Sequence, residues 1–432
     1  MLNVSIKRND FLREEYYSFK HKSGLDVYVF PKKLSTAYAL FATKYGSIDS
    51  KFKLKGDDDF TVVPDGIAHY LEHKLFENPN GEDTFSRFAR YGASANAYTG
   101  NNMTAYLFSC TSNFKESLEI LLDFVSTPYF TPETVEKEQG IIAQEIQMYD
   151  DHPFRRLYHM LLEAMYEKHN VRINVAGTVE SISHITADIL YECYRVFYNP
   201  SNMMLIVCGD VNVYDVSEVC DKVLREQAPA KIIREYPEER AEVYMARSEY
   251  AMQVAQPLFA IGVKDVHIPD DPHERMKKSA AYDILNDILF GKAGELYNSL
   301  YEEGLITGSF DAGYGIGESF AFNTVFSEGA DPDEVFARFK ACVEDAKANG
   351  LPREDFERSK RALYAAMIKW FDSTEEIANN FLQFKIDGGD LLDYADIMGA
   401  VTYEDVTKLL NEAFRDEYYS LAIVNPMETE GE

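Results

Sequence analysis

The chain has 432 residues, more than one ordinary core would use, and its 46% hydrophobic and 27% charged content is that of a soluble globular protein of about two to four domains. A formal net charge of −29 argues against nucleic acid as a partner, since a polyanion would repel it. No apolar run approaches the roughly 20 residues that span a bilayer, so no membrane partner is expected.

The N-terminus lacks the apolar stretch of a secretion signal. Cys110, Cys193, Cys208, Cys220 and Cys342 are scattered, odd in number and without a CxxC pair. Neither a disulfide framework nor a cysteine zinc site is expected, and the expected compartment is the cytoplasm. The acidic balance speaks first to solubility; a sharper reading is an acidic inner wall that attracts basic peptides.

In chain order, residues 25–30 and 37–44 pattern as strands. The next segment is a helix, with Asp65 as the expected N-cap before Gly66-Ile67-Ala68. Ile67, Leu71 and Leu75 recur every four residues and form an apolar stripe. Residues 69–73 read His-Tyr-Leu-Glu-His. Positions i and i+4 share a helix face, so His69 and His73 can point at one ion. Glu72 flanks that face, within reach of a water proton at the metal. HxxEH is the inverted zincin signature, set against the plain alternative of two surface histidines and a solvated glutamate.

Residues 93–110 read as a hairpin about Gly100-Asn101-Asn102. An amphipathic helix covers 114–125. A second helix opens at Thr131-Pro132, with Pro where a first turn tolerates it, and runs to about Met148. On it Glu138 and Glu145 are seven apart, two turns, with Ile141 and Ile142 between them on the same expected face. Carboxylates framed by isoleucines call for a cation, which makes this helix face, with Glu138 and Glu145, the candidate source of a third metal ligand; the bland alternative is pairing with Lys or Arg. A helix from Thr186 leads to a strand at 203–207. Residues 226–256 contain Pro229, Pro237 and a dense charge run, and are expected to be a linker.

The second half repeats the first. Helices at 333–346 and from Pro352 to about Trp370 echo those at 114–125 and from Pro132. A helix from Thr402 leads to a strand at 419–424. Pro132 and Pro352 are 220 residues apart, Thr186 and Thr402 216. Near-equal offsets predict two tandem modules, 1–225 and 257–432, joined by 226–256. Each is expected to be α+β, a mostly antiparallel sheet with helices packed on one face. At the 220 offset Glu138 and Glu145 meet Arg358 and Ala365, and the segment around Leu289-Phe290 that matches Leu75-Phe76 has no histidine. The second module therefore lacks the candidate metal site.

With HxxEH, the seven-residue glutamate pair and the tandem repeat in view, the chain resembles the insulinase/pitrilysin family of zinc peptidases over nearly its whole length, and within it the short members similar to mitochondrial processing peptidase. Glu145 lies 72 residues after His73 and seven after Glu138, as in that family. The resemblance implies a mitochondrial-processing-peptidase-like metallohydrolase fold. It implies one Zn2+ per chain, held by His69, His73 and Glu145, with Glu72 as general base and Glu138 supporting a ligand imidazole. It makes Asn96, Ala97 and Tyr98 part of an edge strand on which substrate adds as a further strand. It also implies two such chains, identical or related, closing around a chamber. One feature departs from the family. Its active members often carry an Arg and a Tyr seven apart in the second half to polarise the scissile carbonyl, and Leu300 and Thr307 stand in those places.

The expected function is a zinc endopeptidase acting on peptides or small proteins, with a related partner chain supplying the missing pair. The alternative is a non-catalytic, zinc-bound subunit that holds peptide for a partner. The intact Glu72 disfavours it, since a structural zinc site needs no base. A third reading, a metal hydrolase acting on something other than peptides, is disfavoured by the strand-binding edge. His152, His159, His169 and His184 have no partner at ligand spacing and are expected to be structural.

Overall fold

The computed structural model describes residues 2–427. The alternation of side chains along the sequence becomes strands β1 (Ser5–Asn9), β2 (Glu14–Lys20), β3 (Asp26–Pro31), β4 (Ala37–Thr43), β5 (Lys51–Leu54), β6 (Thr61–Val62), β7 (Ser94–Thr99), β8 (Thr104–Cys110), β9 (Met203–Gly209), β10 (Ile232–Arg234), β11 (Arg247–Met252), β12 (Leu258–Lys264), β13 (Phe310–Ile316), β14 (Ala321–Glu328) and β15 (Tyr419–Pro426). Two compact units contain them. One holds the residues up to Ile146, Asn174–Tyr236 and Ile368–Leu392; the other holds Gln147–Ile173, Pro237–Met367 and the residues from Asp393 on.

The first unit carries a sheet in the order β1-β2-β3-β9-β4-β8-β7 and a small sheet β10-β5-β6. The second carries β11-β15-β12-β14-β13. Five consecutive strands match one for one: β3-β9-β4-β8-β7 against β11-β15-β12-β14-β13. In each set the first pair is parallel and the other three are antiparallel. The fold is thus the expected α+β pair of homologous, mostly antiparallel modules. The segment 226–256 contains β10, which pairs with β5, and β11, which pairs with β15.

In the first unit one sheet face builds the core. Val27, Val29, Ala39, Phe41, Tyr106, Phe108, Leu205 and Val207 are buried there with the apolar stripes of helices Ile67–Leu75, Phe114–Ser126 and Ala187–Phe197. Because strand side chains alternate, Tyr28 and Phe30 face the other way. Helix Thr374–Ile386 covers them, its Phe381 ring 4.9 Å from each. Its counterpart in the repeat, Pro153–Met165, packs on β12 and β15 in the second unit. Each half of the sequence thus contributes one helix to the other compact unit. Among the described residues no helix is long and apolar enough to cross a membrane.

The motif helix starts differently from expectation. Its cap is Gly66, left-handed at φ 88°, with no side-chain cap bond; Asp65 instead uses its carbonyl to accept the Ser181 hydroxyl at 2.8 Å. A Cβ on Gly66 would lie 2.4 Å from the Ala176 carbonyl oxygen, so only glycine fits both the backbone and the space. Gly66→Ala is expected to destabilise by about 2 kcal/mol or more. Gly140→Ala, in a helix interior with open space at its Cβ, should be neutral or stabilising. Thermal unfolding of the two variants side by side checks the contrast.

Candidate metal centre

Helix Ile67–Leu75 rests on the core through Ile67, Leu71 and Leu75, all buried, at about 2 kcal/mol of burial each. Positions 70 and 74, four apart, tie it to the start of helix Pro132–Asp150. The Tyr70 hydroxyl donates to the Val135 carbonyl. The fully buried Lys74 donates to the Thr134 carbonyl at 3.1 Å and pairs with Glu77 at 2.5 Å. The second helix is started by Thr131, whose hydroxyl accepts from the Thr134 amide at 3.2 Å, followed by Pro132. Val135, Ile142 and Ile146 anchor it in the core.

This docking brings positions 69 and 73 of one helix against 138 and 145 of the other. His69 Nε2 lies 3.7 Å from Glu145 Oε1, and His73 Nε2 3.4 Å from Glu145 Oε2. Ligand atoms of His69, His73 and Glu145 all lie within 4.8 Å of one another. Two ligands about 2 Å from one tetrahedral ion sit ~3.3 Å apart, so the observed separations fit a shared zinc better than direct hydrogen bonds. Burial, then the neighbouring His73, pushes His69 down to about 4, which keeps its imidazole neutral, the form that binds metal.

The other ring nitrogen of His73, Nδ1, bonds Glu138 Oε1 at 3.0 Å. Burial lowers the His73 pKa, and this hydrogen bond with the surrounding carboxylates more than offsets it, so the net shift is upward. Glu138 fixes the ring and its tautomer and makes Nε2 more basic. Glu138→Gln is expected to weaken metal affinity by about 10- to 100-fold while leaving the fold intact, read by competition with a chelator.

Glu72 is 7% exposed and accepts the Thr99 hydroxyl at 2.6 Å on Oε2. Burial raises its pKa, and the Thr99 bond partly offsets this, which suits a group that must take up and release a proton. Thr99 is the last residue of β7, but its contact with Glu72 crosses the fold and no local spacing announces it. Thr99→Val is expected to lower kcat about tenfold with metal content unchanged, and Thr99→Ser to restore it. Ile141, expected on the same face as the two glutamates, is exposed: the core-facing side runs through Val135, Ile142 and Ile146, and Glu138 and Glu145 sit at its border.

Among the described residues β7 is the terminal strand of its sheet and pairs only with β8. Asn96 and Ala97 line a cavity of about 720 Å³ that also reaches Glu72 and His73. Tyr98 turns the other way, its hydroxyl donating to Asn379 at 2.9 Å. In the second unit Leu300 is fully buried and the Thr307 hydroxyl donates to Glu328, so neither offers a cation or phenol. His169 is buried, accepts from the Val171 amide at 3.0 Å and meets Ser319 at 3.0 Å, a structural role.

The sequence pattern of the insulinase family (peptidase family M16) matches residues 63–179, and that of the M16 inactive domain matches residues 184–363. A Bacillus subtilis (strain 168) protein named uncharacterized zinc protease YmfH is 41% identical over 422 residues, spanning 96% of this chain and 97% of the relative. The chain belongs to the insulinase family, M16. The crystal structure of an M16-like peptidase from Alicyclobacillus acidocaldarius superposes with a TM-score of 0.92 at 36% identity, covering 96% of this chain and 98% of that one. A protease from Helicobacter pylori shares the fold at a TM-score of 0.80 and 21% identity, over 96% of this chain and all of its own. M16 membership and zinc-protease relatives support a metallopeptidase.

Proposed function

We propose that this M16 protein is a zinc metalloendopeptidase whose catalytic half is the module 1–225. His69, His73 and Glu145 would hold one zinc, and the module 257–432 would carry none. The observation that carries the reading is the convergence of these three ligand atoms beside a buried, hydrogen-bonded Glu72. Zinc bound there would polarise a peptide carbonyl and make water acidic enough to react near neutral pH.

The chain's own residues do the rest. The free edge of β7 takes the substrate backbone as an added strand and presents one peptide bond to the site. Glu72 accepts a proton from the attacking water as the new C–O bond forms. It then delivers that proton to the amide nitrogen as the C–N bond breaks. Thr99 holds the Glu72 carboxylate in place, and Glu138 holds the His73 ring. Substrates are peptides or small proteins, cleaved within a chamber formed by two chains, identical or related. Five free cysteines suit a reducing, cytoplasmic setting. With Leu300 and Thr307 where the family often carries Arg and Tyr, the related chain is the expected source of carbonyl-polarising groups.

The test is hydrolysis of a quenched-fluorescent peptide library by the metal-loaded protein, alone and mixed with a related M16 chain from the same genome. Cleavage in either sample supports the reading. One zinc per chain with no cleavage in both samples sinks it in favour of a peptide-holding subunit.

A further inference from the structure

The cavity of about 720 Å³ beside the motif helix extends from Glu72 and His73 to the loop that follows that helix. Its wall there is a stacked pair of rings, Phe76 and Phe85, 4.7 Å apart and 7° from parallel. Phe85 remains 45% exposed, so a flat apolar surface is open to an incoming side chain. Around the rings stand Glu77, Glu82 and Asp83. With Glu72 and Glu138, five carboxylates line the cavity against one ammonium, Lys137.

The rim acids are held in place. Glu77 pairs with the fully buried Lys74 at 2.5 Å, and Glu82 with Arg90 at 2.8 Å, each through one carboxylate oxygen. Asp83 caps the helix Thr84–Ala89, accepting from the Ser86 amide at 2.9 Å and the Ser86 hydroxyl at 2.7 Å. The rim is therefore ordered, and it stays net acidic around the aromatic wall, because its five carboxylates outnumber the three cations that meet them, Lys74, Arg90 and Lys137.

We propose that this cavity is a specificity pocket for a basic side chain, arginine or lysine, next to the scissile bond, with Glu77, Glu82 and Asp83 as its selecting residues and Phe85 as its platform. The proposal rests on the peptidase reading of the adjoining site. A long cationic side chain matches both features at once. Its aliphatic stem lies on the rings, its charged head gains cation–π and carboxylate contacts, and a guanidinium can engage two oxygens together. An acidic side chain in the same place meets like charges on most sides. A neutral side chain gains only the ring contact.

The test uses metal-loaded Glu72→Gln protein, to separate binding from turnover, and fluorescein-labelled peptides identical except for Arg, Leu or Glu at the residue flanking the cleaved bond. Fluorescence anisotropy at low ionic strength should show the Arg peptide binding about tenfold tighter than the Glu peptide, with Leu between, and the gap narrowing in salt. Adding Glu82→Lys, a surface change that leaves the motif helix untouched, should bring Arg and Glu peptides within about twofold; Glu82→Gln should give an intermediate gap. Equal binding of the three peptides by the parent protein, or a preference unmoved by Glu82→Lys and Glu77→Gln, would overturn the pocket assignment. Peptide preference without any hydrolysis by the wild type would overturn the peptidase reading and leave the pocket standing. Hydrolysis without preference would do the reverse.

Discussion

Glu72→Gln is expected to lower kcat by about a thousandfold or more while the protein keeps its full metal content. The amide has nearly the shape of the carboxylate, and its oxygen can still accept the 2.6 Å hydrogen bond from Thr99, so the local structure has no reason to change. What is lost is the group proposed to take a proton from water and return it to the leaving nitrogen. Glu72 stands outside the cluster of ligand atoms from His69, His73 and Glu145, so zinc is expected to stay. Metal analysis and peptide hydrolysis on the same preparation give the readout. Retained activity would remove Glu72 from the mechanism, and loss of metal would make it a ligand.

Glu145→Gln is expected to do the opposite, emptying the site. In the proposed site Glu145 would supply the one anionic ligand of the three, and its two oxygens face the two Nε2 atoms at 3.7 and 3.4 Å. Replacing it leaves two imidazoles, too few donors to compete with a chelator. Metal per chain should fall to about a tenth or less after dialysis, with activity falling in parallel. Adding zinc back in excess should restore binding only weakly. Normal zinc content in this variant would require a different third ligand, and the structure offers Glu138 nearby as the residue to change next.

Much of this site was legible in the sequence because its parts are local. Two histidines four apart on a helix share a face whatever surrounds them, and two glutamates seven apart do the same. The absence of both sets from the second half pointed to one common purpose. The doubled topology was legible too, since Pro132 and Pro352 open equivalent helices. Long-range packing was not. No local pattern tells that Phe381, on the helix Thr374–Ile386, lies over Tyr28 and Phe30, more than three hundred residues earlier. The bond from Thr99 to Glu72 likewise depends on where the β7–β8 hairpin lands against the motif helix. Asp65 has the chemistry of a cap, yet the close approach of the Ala176 carbonyl demands a left-handed glycine one position later. Ile141 misled because a helix face has a border. One residue's rotation, about 100°, separates core from solvent there.

The most direct test of the account is anomalous diffraction at the zinc absorption edge from crystals of the metal-loaded protein. The account predicts a single strong peak per chain, between His69 Nε2, His73 Nε2 and the Glu145 carboxylate, with Glu72 beside it and no peak in the second module. A peak elsewhere, or catalytically active crystals with none at this position, would contradict it.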